Sequence, residues 1–506
     1  MKILNSEKLK ICDRITCEKQ NIQIKDLINR ASLSFTEQLI STDIDLSSKT
    51  FIFCGPVNNG ADGIAIAKLL YARYCDVELI LLPSEYKSNN SESFKFYLDN
   101  PTDSNPFPVH IIKKISQLKE FEYPDLVIDA ILGTGISRKA EGIFSEVIEW
   151  INNSGAEVVS VDIPSGISAD NLLFGPAVNA NLTITFQLPK FTFFIPKYAQ
   201  KIGKWIVVDI GCDTEFIQNE PVIYNWIDQH LVKEHLKTRD RFSHKGTFGH
   251  SYIISGSHGK VGATILCSKA ALRIGSGLVT IHAPECAYEI LQMTVPEAMV
   301  DTDHHKYYLS EVKIPTKCNA IAIGPGMGTQ HHTQRMLDEI FCSGIDTPMV
   351  IDADGLNLMS LHPSIKVNLP KQTIITPHTK EFERLFGTTN DFSEQLDLQR
   401  KKSMELDIFI ILKGGFTTIT CPKGNVYFNT NGNPGMATGG SGDVLTGMLV
   451  GLLAQGYTQL EACIIGVFLH GLAGDLAVQN GQSFESLIAS DLIEFIGMAF
   501  RKIRTS

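Results

Sequence analysis

The strongest constraint on this chain is a recurring unit. A short, almost wholly apolar run ends in a loop bearing glycine or aspartate, and a helical pattern follows. A strand with no polar face has both faces buried, the condition of a parallel sheet covered by helices on each side. In the first half the runs are TFIFCG (50–55), VELILL (77–82), LVIDAI (126–131), AEVVSVDIP (156–164), LTITFQ (182–187) and WIVVDIG (205–211). Helical patterns fall at about 8–40, 62–75 and 142–153. The polar segment 84–107 is expected to begin a helix and end in a surface loop.

From about residue 240 the rhythm resumes with HSYIISG, GLVTIHAP, NAIAIGPG, MVIDADG, TIITPHT and IFIILKGG. TTITC and NVYFN then read as a hairpin around a Pro-Lys-Gly turn, followed by long helices at about 441–455 and 459–477. The stretch 212–230 between the halves is polar, which puts the boundary near 215–235. At roughly 100–200 residues per domain, the pattern divides the chain into domains 1–217 and 225–506. No internal repeat relates them.

Composition narrows the partners. The formal net charge of −10 argues against nucleic acid. The 11 cysteines are scattered, without CxxC or zinc-site spacing, and read as buried apolar residues of a cytoplasmic protein. The N-terminus has no signal-peptide core. The most apolar segment, ACIIGVFLHGLAGDLAV, carries His470 and Asp475, so it reads as a buried helix and no membrane partner is expected.

The densest signal in the first half is GPVNNGADG, Gly55 to Gly63, between a strand and a helix. Free amides in such a turn and at a helix N-terminus form an anion cradle. Asp129 ends a later strand and is followed by Gly133-Thr134-Gly135; Asp162 and Ser165 end the next. In an open parallel sheet these carboxyl ends line one crevice. Taken singly, each loop could serve only helix packing or capping.

Over roughly 8–215 these residues resemble the YjeF N-terminal family, the NAD(P)H-hydrate epimerases. The matches are Asn58-Asn59-Gly60, Asp62-Gly63, Asp129, Gly133 to Gly135 and Asp162 to Gly166. The resemblance implies a Rossmann-like domain that epimerises C6 of the hydrated nicotinamide ring. It implies a potassium ion held by Asn59, Asp129 and Ser165, with Asp162 as the acid–base residue. Substrate contacts would come from Asn58, Asn59, Gly60, Ala61 and Asp62, and from Gly133, Thr134, Gly135, Ile136, Ser137, Arg138 and Lys139. The family prefers Gly where this chain has Val57 and Ala61. A Cβ there costs space or needs an ordinary φ angle.

The second half carries NPGMATGGSGDVLTGMLVGLLAQG, residues 433–456. Its glycines leave amides free at the positive end of an apolar helix starting near Asp443. A carboxylate beside bound phosphates reads as a general base for an attacking hydroxyl, with plain helix capping as the alternative. LKGGFT, GPGMG, DADGLN with Asp352, Asp354 and Asn357, and TPHTKEFERL with His378 and Glu381 also follow strands. Alone, His378 could simply cap a helix.

Across about 225–500 these motifs resemble the YjeF C-terminal family, the ADP- or ATP-dependent NAD(P)H-hydrate dehydratases of ribokinase-like fold. The resemblance makes Asp443 the catalytic base. It puts adenine nucleotide on Lys413, Gly414, Gly415, Phe416, Thr417 and Gly442, and the hydrated dinucleotide on Ala263, Gly326 and His378. Lys245 and His250 would help bind phosphate. It implies ADP as co-substrate with Mg²⁺, NAD(P)HX as substrate, and a homo-oligomer. Phosphorylating the C6 hydroxyl would make it a leaving group. The rival readings are a small-molecule kinase with the same GSGD loop, and a first domain that only senses nucleotide.

Overall fold

The computed structural model describes residues 1–83, 94–95, 106–171 and 175–505. The chain divides into two compact units, Lys2–Val222 and Ile223–Ser506, the latter including Met1.

The first unit is built on β1 (Thr50–Cys54), β2 (Val77–Leu81), β3 (Val109–Ile111), β4 (Leu126–Ala130), β5 (Glu157–Val161), β6 (Leu182–Phe186) and β7 (Lys204–Val208). Every pairing is parallel, in the order β3-β2-β1-β4-β5-β6-β7. The order reverses direction at β1, so the crevice between β1 and β4 is the switch point. β1 and β4 are buried throughout, as their apolar sequence requires. The helix expected over 8–40 is two helices, Ser6–Gln20 and Ile24–Ile40. Asn21 ends the first in the left-handed region, φ 53°, which Asn tolerates better than most residues. Gln23 then opens the second, its backbone N–H donating to Asp26 Oδ2 at 2.9 Å. The expectation for 84–107 falls almost entirely outside the described residues.

The second unit contains β8 (Tyr224–Trp226), β9 (His250–Ile254), β10 (Leu278–Ala283), β11 (Met299–Thr302), β12 (Ala320–Ile323), β13 (Met349–Ile351), β14 (Ile374–Ile375), β15 (Phe409–Leu412), β16 (Thr417–Thr420) and β17 (Val426–Asn429). Its order is β11-β10-β9-β12-β13-β14-β15-β16-β17-β8, parallel from β11 to β15. β16 and β17 form the expected hairpin, and β8 adds a parallel edge strand that the polar sequence around it concealed. The switch point lies between β9 and β12.

Alternate strand residues bury into two cores, one on each face of this sheet. The first includes residues of helices Val261–Arg273, Ser441–Ala454, Gln459–Gln479 and Ala489–Thr505. Gln459–Gln479 is long and apolar enough to cross a membrane, yet 78% of its most apolar window is buried inside the protein. It reads as a core helix.

Ser441–Ala454 and Val261–Arg273 pack at backbone distance: a Cβ on Gly447 would stand 2.0 Å from the Cys267 carbonyl oxygen. We expect Gly447→Ala to destabilise the second unit by roughly 1–3 kcal/mol through overpacking. Urea unfolding of the full chain checks this; an unchanged midpoint for that unit would refute it.

Candidate active sites

A cavity of about 580 Å³ opens at the β1/β4 switch point of the first unit. Asn58, Asn59, Asp62, Gly133, Thr134, Gly135, Ile136 and Asp162 line it; Gly60, Ala61, Ser137, Arg138 and Lys139 do not. The loop that enters helix Asn58–Tyr71 depends on glycine. A Cβ on Gly55 would sit 1.8 Å from the Ile131 carbonyl oxygen, and one on Gly60 1.8 Å from that of Gly55. Val57 fits without strain because it is extended, φ −103° and ψ −174°, and half its bulk faces solvent.

Asp162 turns into this cavity at a left-handed φ of 64°. Its Oδ1 accepts from Lys190 Nζ at 2.5 Å, the Phe186 N–H at 2.9 Å and Thr185 Oγ1 at 3.1 Å. Among the described residues Oδ2 receives no such bond, so one oxygen is anchored and one is free. Lys190 is buried, and its ammonium also donates to Thr185 Oγ1 and the Phe186 and Leu188 carbonyls. Sequence reasoning missed Lys190. The available signal was a lone cation inside LPKFTFF.

Asn59, which lines the cavity, is linked through Leu132 to Ser165, and Ser165 bonds Asp129. Asp129 is fully buried. Its carboxylate accepts from Ser165 Oγ at 2.5 Å, the Ser165 N–H at 2.8 Å and Ser160 Oγ at 2.9 Å. Burial still pushes its pKa upward against those bonds. Asn59 Nδ2 donates to the Leu132 carbonyl at 3.1 Å, and the Leu132 N–H donates to Ser165 Oγ at 2.8 Å.

In the second unit the glycine loop 437–442 leads into helix Ser441–Ala454, with Gly440 at φ 93° as its cap and Asp443 in the first turn. Asp352 follows β13; its Oδ1 accepts from Lys413 Nζ at 2.9 Å and its Oδ2 from Thr446 Oγ1 at 2.7 Å. Gly442 lies against both: a Cβ there would be 3.2 Å from Lys413 Nζ and 3.5 Å from Asp352 Oδ2. Burial and the Asp352 charge push Asp443 up to about 7, while Lys413 pulls the other way. Gly414 and Gly415 are exposed and Phe416 half-buried in the turn before β16, and half-buried Thr417 opens that strand. Partly buried His470 is held well below its usual pKa by desolvation, at about 4, and its Nε2 donates to the Ser441 carbonyl at 3.0 Å. A neutral ring thus braces the glycine loop, a role not foreseen from sequence.

Ala263 and Gly326 meet: a Cβ on Gly326, φ 61°, would lie 3.2 Å from that of Ala263. His378 does cap its helix, Nδ1 accepting from the Lys380 and Glu381 N–H groups, and its backbone bridges to Lys413 at the sheet edge. Its ring remains half-exposed. The phosphate role expected for Lys245 and His250 does not fit the fold. His250 opens β9 and Lys245 precedes it, so both stand at the amino edge of the sheet. The glycine loops stand at the carboxyl edge, a strand length away. His250 instead meets Thr280 Oγ1 at 2.7 Å.

Among the described residues no group of three or more His, Cys, Asp or Glu side chains could hold a metal ion. Residues 251–496 match the NAD(P)H-hydrate dehydratase family, and residues 24–192 match the YjeF-related protein N-terminus. The bifunctional NAD(P)H-hydrate repair enzyme Nnr of Moorella thermoacetica is 33% identical, over 90% of this chain and 88% of its own. That of Thermofilum pendens is 32% identical, over 100% and 97%. The ADP/ATP-dependent NAD(P)H-hydrate dehydratase of Bacillus subtilis, crystallised with ATP and Mg²⁺, superposes with a TM-score of 0.50 at 29% identity, covering 55% of this chain and 98% of its own.

The charges around Asp443 make a prediction independent of turnover. Asp352→Asn removes the carboxylate that raises it and should lower the Asp443 pKa from about 7; Lys413→Met removes the opposing cation and should raise it. Carboxyl ¹³C NMR titration checks both signs.

Proposed function

The chain belongs to the bifunctional NAD(P)H-hydrate repair enzymes, and from that premise we propose how each unit does its part. The second unit dehydrates the S hydrate at the expense of ADP, yielding AMP and phosphate. The observation that carries this is Asp443: a carboxyl poised at about 7, in the first turn after a glycine loop, beside the Asp352–Lys413 pair. A base works best when its pKa lies near the working pH.

Asp443 takes the proton of the C6 hydroxyl as that oxygen attacks the terminal phosphoryl group of ADP, and AMP leaves. Phosphate then departs from C6, driven by the ring-nitrogen electron pair. Loss of the C5 proton restores the dihydronicotinamide. The amides of 437–442 and the helix end stabilise the phosphoryl charge. Lys413, Gly414, Gly415, Phe416, Thr417 and Gly442 hold the nucleotide, and Ala263, Gly326 and His378 the hydrated dinucleotide. Mg²⁺, when bound, neutralises phosphoryl charge. Both oxygens of Asp352 are engaged, which leaves Asp443 as the free carboxylate by the loop. The ion would be held mainly by phosphates and water, as Mg²⁺ commonly is.

The first unit interconverts the R and S hydrates. Asp162 is its acid–base residue, with Oδ1 fixed by Lys190 and Oδ2 presented to the ring. Potassium suits Asn59, Asp129 and Ser165 because their donors are oxygens. Asp129 is also a buried carboxylate with no Lys or Arg partner among the described residues. A bound cation would supply the missing countercharge.

Incubating S-NADHX with ADP and with ATP, and resolving the products chromatographically, tests the donor. Phosphorylation of a thiazole alcohol without NADH recovery would favour a small-molecule kinase instead. We expect Asp443→Asn to slow dehydration roughly 10²–10⁴-fold while nucleotide still binds. The wild-type rate should rise with pH through about 7 as the base ionises. Single-turnover kinetics checks both. In the first unit, we expect Asp129→Asn to abolish the potassium dependence of epimerisation, measured against the spontaneous rate.

A further inference from the structure

Asp13, on helix Ser6–Gln20, lines the same cavity as Asp162. It has no structural duty of the usual kind. It is neither a cap nor an ion-pair member; among the described residues its side-chain hydrogen bond is the one it accepts from the Cys212 thiol, 4.0 Å from Oδ1. The sequence signals that identified the site did not include it.

Its surroundings differ from those of Asp162. Asp162 is ion-paired with Lys190. Asp13 is half-buried, faces the Asp162 charge and is pushed up to about 6, with desolvation the larger cause. The other groups bearing on it are Lys190, which opposes that rise, and Asp62, a buried carboxyl of helix Asn58–Tyr71. Cys12 and Cys17 on its own helix, and Cys212 after β7, also sense its charge. One carboxyl held in an ion pair and a second without one, lining the same cavity, are placed to divide the acid and base roles of one site.

When C6 is inverted by loss and return of water, the hydroxyl leaves one face of the ring and returns on the other, and two acid–base groups serve best. A single fixed carboxyl cannot reach both faces. We propose that Asp13 is the second acid–base residue of the epimerase site, serving the ring face that Asp162 does not. The inference rests on the epimerase reading of this unit.

Protonated Asp13 gives its proton to the C6 hydroxyl. The C6–O bond breaks as the ring-nitrogen electron pair forms a C6=N1 iminium, and water departs. A water on the opposite face attacks C6, and the Asp162 carboxylate accepts its proton. The substrate has lost one water and gained one. One proton has moved from Asp13 to Asp162, and it returns through solvent. The reverse epimerisation runs the same steps backwards, so in both directions the pair must hold one proton.

The test follows R-to-S conversion by NMR with the full chain, potassium present and ADP omitted, after subtraction of the spontaneous rate. We expect Asp13→Asn to lower kcat roughly 10²–10⁴-fold with KM nearly unchanged. Asp13→Glu should recover part of the rate. Wild-type kcat/KM should fall as pH rises through about 6, and that limb should vanish in Asp13→Asn and persist in Asp13→Glu. Wild-type rates and an unchanged pH limb in Asp13→Asn would overturn the assignment. So would equal loss in Asn and Glu variants, the mark of a structural role. A wild-type rate no faster than the spontaneous one would overturn the epimerase reading itself, and this inference with it.

Discussion

Parallel strand pairing is the constraint on which both sites depend. A parallel neighbour cannot be reached by a tight hairpin, so the chain must cross over through a helix. Every carboxyl end then emerges at the same edge, and residues far apart in sequence meet there. Asp129 and Ser165, 36 positions apart, share two hydrogen bonds; Asp352 and Thr446, 94 positions apart, share one. At the switch points between β1 and β4 and between β9 and β12, adjacent connections leave in opposite directions, opening a crevice between their loops.

Those crevices collect carboxylates, and burying a carboxylate is costly unless it is satisfied. The protein meets that cost unevenly. Asp352 is tied on both oxygens by Lys413 and Thr446. Asp162 is tied on one by Lys190, Thr185 and the Phe186 amide. Asp443 and Asp13 are left with raised pKa values instead of full sets of partners. Asp352, tied on both oxygens, holds geometry; Asp443, Asp13 and the second oxygen of Asp162 are the carboxyl groups that the proposed proton transfers use. Breaking one of the tied pairs would strand a buried charge, which typically costs about 3–5 kcal/mol.

Close backbone approach sets the remaining geometry. The Gly55–Gly60 contact lets the first loop fold back on β4 without displacing it, and Gly447 brings the helix carrying Asp443 against Val261–Arg273. Val57 shows where glycine is not required: an extended residue open to solvent accommodates its Cβ. The same α/β scaffold carries many chemistries, so the function rests on these side chains rather than on the architecture.

The apolar runs, their glycine punctuation and the motif aspartates were legible from sequence because strand burial and turn conformation are local demands. The break at Asn21 was harder to read, since a tolerated left-handed residue leaves the helical pattern on both sides intact. β8 and β11 were invisible because short edge strands need little apolar character. Pairings lay beyond the sequence altogether. That Lys190 would clamp Asp162, that Lys413 would hold Asp352, and that His250 would stand at the edge away from the glycine loops all follow from register and strand direction. Residue type and local pattern were enough to show which side chains could bear chemistry. Which of them meet, and how deeply each is buried, is set by the folded chain, because desolvation and pairwise charge depend on distances that strand register alone creates.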